Sequence, residues 1–115
     1  LSYKIKTPKK TLVIATDREH GEERLDRLFL EFCQGADVLL HDAQDTPKEY
    51  EGHRGWGHST WAACAQIAKQ AGVKQLILTH HDPERSDQEV DAFVEQARKI
   101  FPATSAANQG KIISL

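Results

Sequence analysis

The chain has 115 residues, of which 39% are hydrophobic and 28% are charged, and its formal net charge is −2. These values suit one globular domain and exclude intrinsic disorder, collagen and a membrane protein. The near-neutral charge gives no global attraction to nucleic acid, so nucleic acid as a partner stays undecided at this point. Because the chain begins at Leu1 and contains no Met, we expect it to be a piece of something longer.

The amino-terminal residues and the two cysteines bear on location. The first ten residues are rich in lysine but lack an apolar leader, so we expect no signal peptide and a cytoplasmic location. Cys33 and Cys64 both lie in apolar helical patterns. We expect them to be buried free thiols of a reducing compartment rather than a disulfide.

Apolar runs and amphipathic stretches alternate along the chain. Residues 11–16 are a short β-branched run, which is typical of a buried strand. Leu25, Leu28 and Phe29 follow at helical spacing and predict an amphipathic helix. In chain order, the sequence predicts a strand at 3–6, a strand at 11–16, a helix at 21–34, a strand at 36–41, a helical turn at 46–49, a helix at 59–71, a strand at 73–79, a helix from 86 to 101 and a strand at 111–115.

The order of these elements sets the expected fold class. From residue 11 onward it is β-α-β-α-β-α-β, with buried strands alternating with amphipathic helices. This order predicts an α/β layered fold with a largely parallel sheet. No internal repeat, low-complexity segment or linker divides the sequence, so we expect one domain over residues 1–115.

Acidic and imidazole side chains follow the ends of three predicted strands. In α/β sheets, ligands bind at the carboxyl ends of the parallel strands, and these ends share one edge. His and Asp are ligands for zinc, manganese and iron. The sequence therefore predicts a metal or acid–base site at this edge. Its candidate residues are Asp17, His41, Asp42, His80, His81 and Asp82, with His58 in the loop that follows a glycine-rich segment.

Other polar and aromatic residues near this edge receive no catalytic role. We expect His20 and His53 to be surface residues. Trp56 and Trp61 flank His58 and either pack the loop against the sheet or form a substrate wall. The basic residues Arg54 and Arg85 could contact an anionic substrate, but a surface position is the expectation for both.

Four short motifs in a fixed order carry a resemblance to a known family. They are ATD at residues 15–17, HDA at 41–43, GHST at 57–60 and LTHHDP at 78–83. As an ordered set they resemble the C-terminal half of a metallo-β-lactamase-fold hydrolase, in the branch that includes tRNase Z and related phosphodiesterases. The resemblance runs from about residue 11 to about residue 87. It implies half of an αββα sandwich.

The resemblance implies a role for four residues. Asp17 matches the carboxylate that bridges two metal ions, and His80 matches the last histidine ligand of one of them. His58 matches the histidine that acts on the scissile phosphate or the leaving group. Asp42 matches the acidic residue that orients this histidine. The implied cofactor is a pair of divalent ions, Zn, Mn or Fe, in the intact parent protein.

The sequence departs from the family pattern in one respect. The family's main metal motif, His-x-His-x-Asp-His, does not occur in these residues. Only two of the usual ligands are present, whereas a catalytic zinc normally has three protein ligands. We therefore expect the piece alone to be inactive and to bind little or no metal. The expected partners are the missing N-terminal half, or a second copy by dimerisation or strand exchange, and a phosphodiester-type substrate in the parent.

Two other interpretations remain at this stage. The chain could be a non-catalytic α/β module for structure or interaction whose parent has lost its metal site, because the main metal motif is missing. The His-Asp doublets at residues 41–42 and 81–82 also suggest a His-Asp phosphohydrolase. Such enzymes are helical, whereas both doublets here end predicted strands, so we reject this interpretation.

Overall fold

Five strands and four helices make up the described part of the chain. The computed structural model describes residues 2–16, 18–55, 57–79 and 85–107. The elements are β1 (Ser2–Lys6), β2 (Thr11–Ala15), α1 (Glu23–Cys33), β3 (Val38–Asp42), α2 (Pro47–His53), α3 (Trp61–Ala71), β4 (Gln75–Thr79), α4 (Asp87–Arg98) and β5 (Thr104–Ala106). Within the described residues, the five strands form one sheet in the order β1-β2-β3-β4-β5.

The strand connections determine the direction of each strand. A tight turn at residues 7–10 joins β1 to β2, and the two strands pair antiparallel. The turn is closed by Thr7, whose backbone N–H donates to the Lys10 carbonyl at 2.8 Å. The pairs β2–β3, β3–β4 and β4–β5 are parallel, because a helical crossover lies between the strands of each pair. The carboxyl ends of β2, β3 and β4 therefore share one edge of the sheet.

Local sequence signals account for the helix ends. Helix α2 begins with a capping box in which Thr46 accepts from the backbone of Glu49 and the Glu49 side chain accepts from Thr46. Helix α4 begins with the same arrangement at Ser86 and Glu89. Helix α3 ends at Gly72, which takes a left-handed conformation (φ +67°) that favours glycine.

The hydrophobic core lies between one face of the sheet and the helices. Side chains alternate between the two faces of a strand. Core residues of the strands and of α1, α3 and α4 form a single cluster, which includes Val13, Ala15, Leu39, Leu76 and Leu78 from the sheet and Phe29, Cys33, Cys64, Ala68, Val94 and Ala97 from the helices. The free thiols Cys33 and Cys64 are buried in this cluster, which confirms the prediction made for them.

The second face of the sheet is apolar as well. The strand register places Tyr3, Ile14, Leu40 and Ile77 side by side across the four strands β1 to β4. Ile77 is buried, but Tyr3 is 53% exposed and its neighbour on the same face, Ile5, is 49% exposed. The exposure is thus concentrated at the β1 end of this face.

The structure confirms the predicted α/β class with a largely parallel sheet. Two details differ from the sequence prediction. The predicted helical turn at 46–49 extends to His53, and the strand β5 at Thr104–Ala106 was not predicted. The strand predicted at 111–115 lies outside the described residues. No helix in the described part of the chain is long and apolar enough to cross a membrane.

Candidate active site

Asp42 and His58 meet at the carboxyl end of β3. Asp42 is the last residue of that strand and is fully buried. A single parallel bridge between Asp45 and Thr60 brings the segment that contains His58 alongside the chain leaving β3. The His58 Nδ1–H donates to Asp42 Oδ2 at 2.7 Å, and Asp42 Oδ1 accepts from the backbone of Gln44 at 3.1 Å.

This geometry gives His58 a defined tautomer. With Nδ1–H bound to a carboxylate, the other ring nitrogen, Nε2, is the atom that can exchange a proton with a substrate. The His58 side chain is 17% exposed, so it is accessible while its carboxylate partner is fully buried. The arrangement suits an acid or a stabiliser of negative charge.

His41 is next to Asp42 in sequence but faces the hydrophobic core. Its Nδ1–H donates to the Asp42 carbonyl at 2.8 Å, and its Nε2 lies 3.5 Å from Arg18 Nη1. The imidazole also packs edge-on against Phe29. Burial lowers the pKa of His41 to about 4, and the positive charge of Arg18 acts in the same direction. His41 is therefore neutral at pH 7 and does not contribute to the acid–base site that was predicted at this edge.

Two backbone anchors hold the segment around His58. The Ser59 hydroxyl donates to the Arg18 carbonyl at 2.5 Å. The Glu19 carboxylate accepts from the backbone N–H groups of Gly55 and Gly57 at 2.8 to 3.0 Å. Burial raises the pKa of Glu19, but these backbone bonds outweigh it and hold the pKa below its usual value. The sequence did not predict a role for Glu19. The only local signal is the Gly-x-Gly spacing of its partners Gly55 and Gly57, a pattern that can form an anion-binding backbone turn.

Three residues expected at the surface are paired with other side chains and are partly or largely buried. His53 donates from Nδ1 to Oδ1 of the buried Asp45 at 2.9 Å. His20 stacks on Tyr50 with 4.4 Å between ring centroids, and burial lowers its pKa. The Arg85 side chain is only 9% exposed and pairs with Glu49. The surface expectation was therefore wrong for Arg85, because a side chain far away in sequence neutralises its charge.

Trp61 and Arg54, which are close to His58 in sequence, differ in their surroundings. Trp61 begins α3 and packs, partly buried, against the core, which agrees with the packing interpretation. The guanidinium of Arg54 lies 5.3 Å from the centroid of the Tyr50 ring. Trp56 lies outside the described residues.

The residues expected to bind metal are Asp17 and His80, and both lie outside the described residues, as do His81 and Asp82. Among the residues that the structure describes, no group of three His, Cys, Asp or Glu side chains could hold a metal ion. Asp42 uses its carboxylate oxygens for His58 and Gln44, and His41 is held in the core. These residues therefore do not form a metal site by themselves.

The sequence model of the family described as "Beta-lactamase superfamily domain" matches residues 1–81, which is more than half of the chain. The chain belongs to this family. Relatives in the family include the ribonuclease Z of Brevibacillus brevis, 40% identical over 99 residues that make up 83% of this chain. The ribonuclease Z of Anoxybacillus flavithermus is 36% identical over 94% of the chain, and the ribonuclease BN of Escherichia coli is 36% identical over 75%.

This chain aligns with only part of each of these longer relatives. The aligned region covers 31% of the Brevibacillus protein and 34% of the Anoxybacillus protein. The chain therefore spans about a third of the length of the curated relatives that it matches.

Two solved structures share the fold. The metallo-beta-lactamase fold protein YhfI from Bacillus subtilis superposes with a TM-score of 0.78 at 23% identity, covering 96% of this chain and 42% of that protein. The short form of human tRNase Z superposes with a TM-score of 0.73 at 21% identity, covering 98% of this chain and 37% of that one. The metallo-β-lactamase fold and the resemblance to the tRNase Z branch are thus confirmed.

Proposed function

We propose that residues 1–115 are a partial domain, the carboxyl-terminal part of a metal-dependent phosphodiesterase of the ribonuclease Z type. The observation that carries this proposal is the 2.7 Å bond from His58 to the buried Asp42 in a chain of this family. The partial coverage of the relatives, 31% and 34% of their lengths, supports the view that the remaining part of the site lies elsewhere. The isolated chain is accordingly inactive.

In the proposed reaction, His58 supplies a proton to the leaving group. The oxygen of a water molecule bonds to phosphorus as the P–O bond to the leaving oxygen breaks, and the leaving oxygen takes the proton from Nε2 of the His58 imidazolium. Asp42 keeps the ring oriented through Nδ1 and stabilises the imidazolium before the proton leaves. The helix that follows His58, α3, begins at Trp61 with Thr60 as its N-cap, so its first backbone N–H groups lie next to the same segment.

The metal site draws on residues that follow β2 and β4, the two strands that flank β3 in the sheet. We assign the bridging role to Asp17, which follows β2, and the terminal ligand role to His80, which follows β4. A carboxylate and an imidazole fit zinc, manganese or iron, although two ligands are one fewer than a catalytic zinc requires. When bound, a pair of divalent ions would supply a hydroxide nucleophile and polarise the phosphate. The remaining ligands would come from the amino-terminal half.

The same half provides a cover for the second face of the sheet. Tyr3 and Ile5 are about half exposed on that face, and their neighbours Leu12, Ile14 and Leu40 are partly exposed. An apolar surface of this kind is typical of an interface. Because both cysteines are free and buried, we place the intact protein in a reducing compartment, the cytoplasm.

The substrate class is a phosphodiester. The relatives are named ribonuclease Z and ribonuclease BN, which favours RNA, whereas the net charge of −2 on this chain gives RNA no general attraction. RNA and a small phosphodiester are therefore separate arms of the test.

The test is to co-express this chain with an amino-terminal half that carries His-x-His-x-Asp-His. Hydrolysis of bis-p-nitrophenyl phosphate and of a short RNA is then measured with Mn²⁺ or Zn²⁺. We expect turnover by the assembled protein, none by the chain alone, and a loss of about a hundredfold or more in Asp17→Ala and His80→Ala. The matched control Asp91→Ala, on the exposed side of α4, retains activity.

Absence of hydrolysis, or hydrolysis that Asp17→Ala leaves unchanged, contradicts the proposal. If the assembled protein also binds no metal, the chain is instead a non-catalytic α/β module, the alternative that the missing metal motif favours.

A further inference from the structure

We propose that Glu19 is a positioning residue that fixes where His58 lies relative to the carboxyl end of β2. This inference rests on the proposed function, because it concerns the acid of that reaction. Glu19 itself contacts no reacting atom in this account. It acts through the backbone of the segment that leads into His58.

The Glu19 carboxylate binds backbone groups that are far away in the sequence. Its Oε1 accepts from the backbone N–H groups of Gly55 at 2.8 Å and Gly57 at 3.0 Å, and its Oε2 lies 3.0 Å from Gly55 N. The Tyr50 hydroxyl lies 3.3 Å from Oε2 and 2.9 Å from the His20 carbonyl. Hydrogen bonds to an ionised acceptor are roughly twice as strong as neutral ones. The Glu19 side chain therefore links the loop after β2 to the segment that contains Gly55 and Gly57, 36 to 38 residues later.

The glycines are needed for their conformation. Gly55 and Gly57 have φ values of +88° and +89°, a region that side-chain-bearing residues rarely adopt. A Cβ on either would meet no atom within 4 Å, so space is not the restriction. Left-handed residues in a turn direct nearby N–H groups toward a common point and form an anion site. In this loop the anion that occupies the site is the side chain of Glu19.

A second anchor lies on the other side of His58. Ser59 donates through Oγ to the Arg18 carbonyl at 2.5 Å. Gly57 and Ser59, the two neighbours of His58, are thus both bound to the dipeptide Arg18–Glu19. That dipeptide follows Asp17 directly in sequence.

Different contacts determine the orientation and the position of the His58 imidazole. Asp42 sets the ring orientation through Nδ1, whereas Glu19 and Ser59 set the position of the backbone that carries the ring. Because both anchors lie directly after β2, the backbone on either side of His58 is held at the carboxyl end of that strand. Displacement of a catalytic group by about 1 Å can cost on the order of a hundredfold in rate.

The test uses the intact protein, with this chain and its amino-terminal half together, and the variants Glu19→Ala and Glu19→Gln. The exposed Glu31→Ala on α1 is the control. Four quantities are measured: kcat and KM for bis-p-nitrophenyl phosphate, bound metal per chain, and amide hydrogen exchange in the peptide that covers residues 52–58.

For Glu19→Ala we expect kcat to fall by roughly 30- to 100-fold while KM stays within about twofold, because the acid is displaced but substrate contacts remain. Bound metal is unchanged and exchange in residues 52–58 becomes faster. Glu19→Gln retains most activity, since Oε1 alone accepts from both glycines and the Tyr50 hydroxyl can accept from the new amide. This partial rescue separates a hydrogen-bonding role from a general loss of stability.

Three results overturn the inference: unchanged kcat in Glu19→Ala, unchanged exchange in residues 52–58, or metal content that falls in proportion to kcat. The last would place the effect of Glu19 on the metal ligands rather than on His58. If the unmodified protein does not hydrolyse the substrate, the proposed function fails. Hydrolysis that is normal in Glu19→Ala contradicts only the positioning role.

Discussion

Asp42 and His41 are adjacent and equally buried, yet only Asp42 belongs to the proposed site. Successive strand residues point to opposite faces, so His41 packs against Phe29 and Arg18 while Asp42 binds His58. Of the His-Asp pair at the end of β3, His41 thus packs in the core and only Asp42 faces the proposed site. The strand register decides which residue takes which part.

The role proposed for His58 predicts a large kinetic effect. His58→Ala and Asp42→Asn should each lower kcat of the assembled protein by roughly 10²- to 10⁴-fold, the usual contribution of acid–base catalysis. His53→Ala is the matched control, because His53 also pairs with a buried aspartate, Asp45. We expect His53→Ala to stay within about threefold of the unmodified protein. An equal loss in both histidine variants would contradict the assignment of the acid to His58.

Burial of neutral His41 predicts a dependence of stability on pH. Its pKa is about 4 in the folded chain against an ordinary value of 6.5, so the unfolded state binds the proton first. The free energy of unfolding should therefore decrease as pH falls from about 6.5 to about 4, by about 3 kcal/mol from this group.

Urea unfolding at pH 7 and pH 4.5 measures this change. His41→Gln should be less stable than the unmodified chain at pH 7 because it loses the bond to the Asp42 carbonyl, but it should depend less steeply on pH. An identical pH dependence in both proteins would exclude His41 as the source.

For single residues, the sequence could predict the pair that the two family motifs supply but not the anchors around it. His58 and Asp42 follow from the GHST and HDA motifs at the end of a strand. Glu19 and Arg85 do not, because their partners lie 36 to 41 residues away and only the tertiary fold brings them together. The partial burial of His53 beside Asp45 could not be predicted for the same reason: the bridge to Thr60 sets the position of Asp45.

At the scale of elements, capping signals and periodicity predicted most helices and strands. The capping boxes at Thr46 and Ser86 are local in sequence, so the starts of α2 and α4 could be predicted from a few residues. Strand β5 is different, because Thr104–Ala106 has no apolar run and gains its order from pairing with β4. Strand propensity alone does not detect such a segment.

Replacing Gly72 or Gly52 by alanine should have opposite effects on the free energy of unfolding. Gly72 ends α3 at φ +67°, so Gly72→Ala should lower the free energy of unfolding by about 1–2 kcal/mol, the cost of a left-handed alanine. Gly52 lies inside α2 with open space at its Cβ position, so Gly52→Ala should raise it by about 0.5–1 kcal/mol. Thermal or urea unfolding compares the two. Destabilisation of similar size in both variants would contradict the assigned backbone roles.

At the scale of the whole molecule, the helices cover one face of the sheet and leave the β1 end of the other face exposed. The core cluster draws on α1, α3 and α4 together with Val13, Leu39 and Leu76. Tyr3 and Ile5, by contrast, are each about half exposed on the second face. An exposed apolar surface continuous with a buried one predicts that the chain is stabilised by a partner on that face.

The 115-residue chain by itself should therefore self-associate through the second face. We expect dimers or larger species at about 0.1 mM in analytical ultracentrifugation. Ile5→Lys should weaken association by about tenfold or more, since a buried isoleucine contributes about 1.5–3 kcal/mol. Leu28→Lys on α1 is the matched control, because Leu28 and Ile5 are both 49% exposed. A monomer at this concentration, or an equal effect of both variants, would contradict an interface on this face.

The central claim, that this chain carries only part of a dinuclear metal site, is tested most directly by counting metal ions. Bound Zn and Mn are measured by mass spectrometry after dialysis, for the 115-residue chain alone and for the chain assembled with its amino-terminal half. We expect two ions per assembled protein and almost none on the chain alone, because Asp17 and His80 are too few ligands to hold a metal. Stoichiometric metal on the isolated chain, or none on the assembled protein, would contradict it.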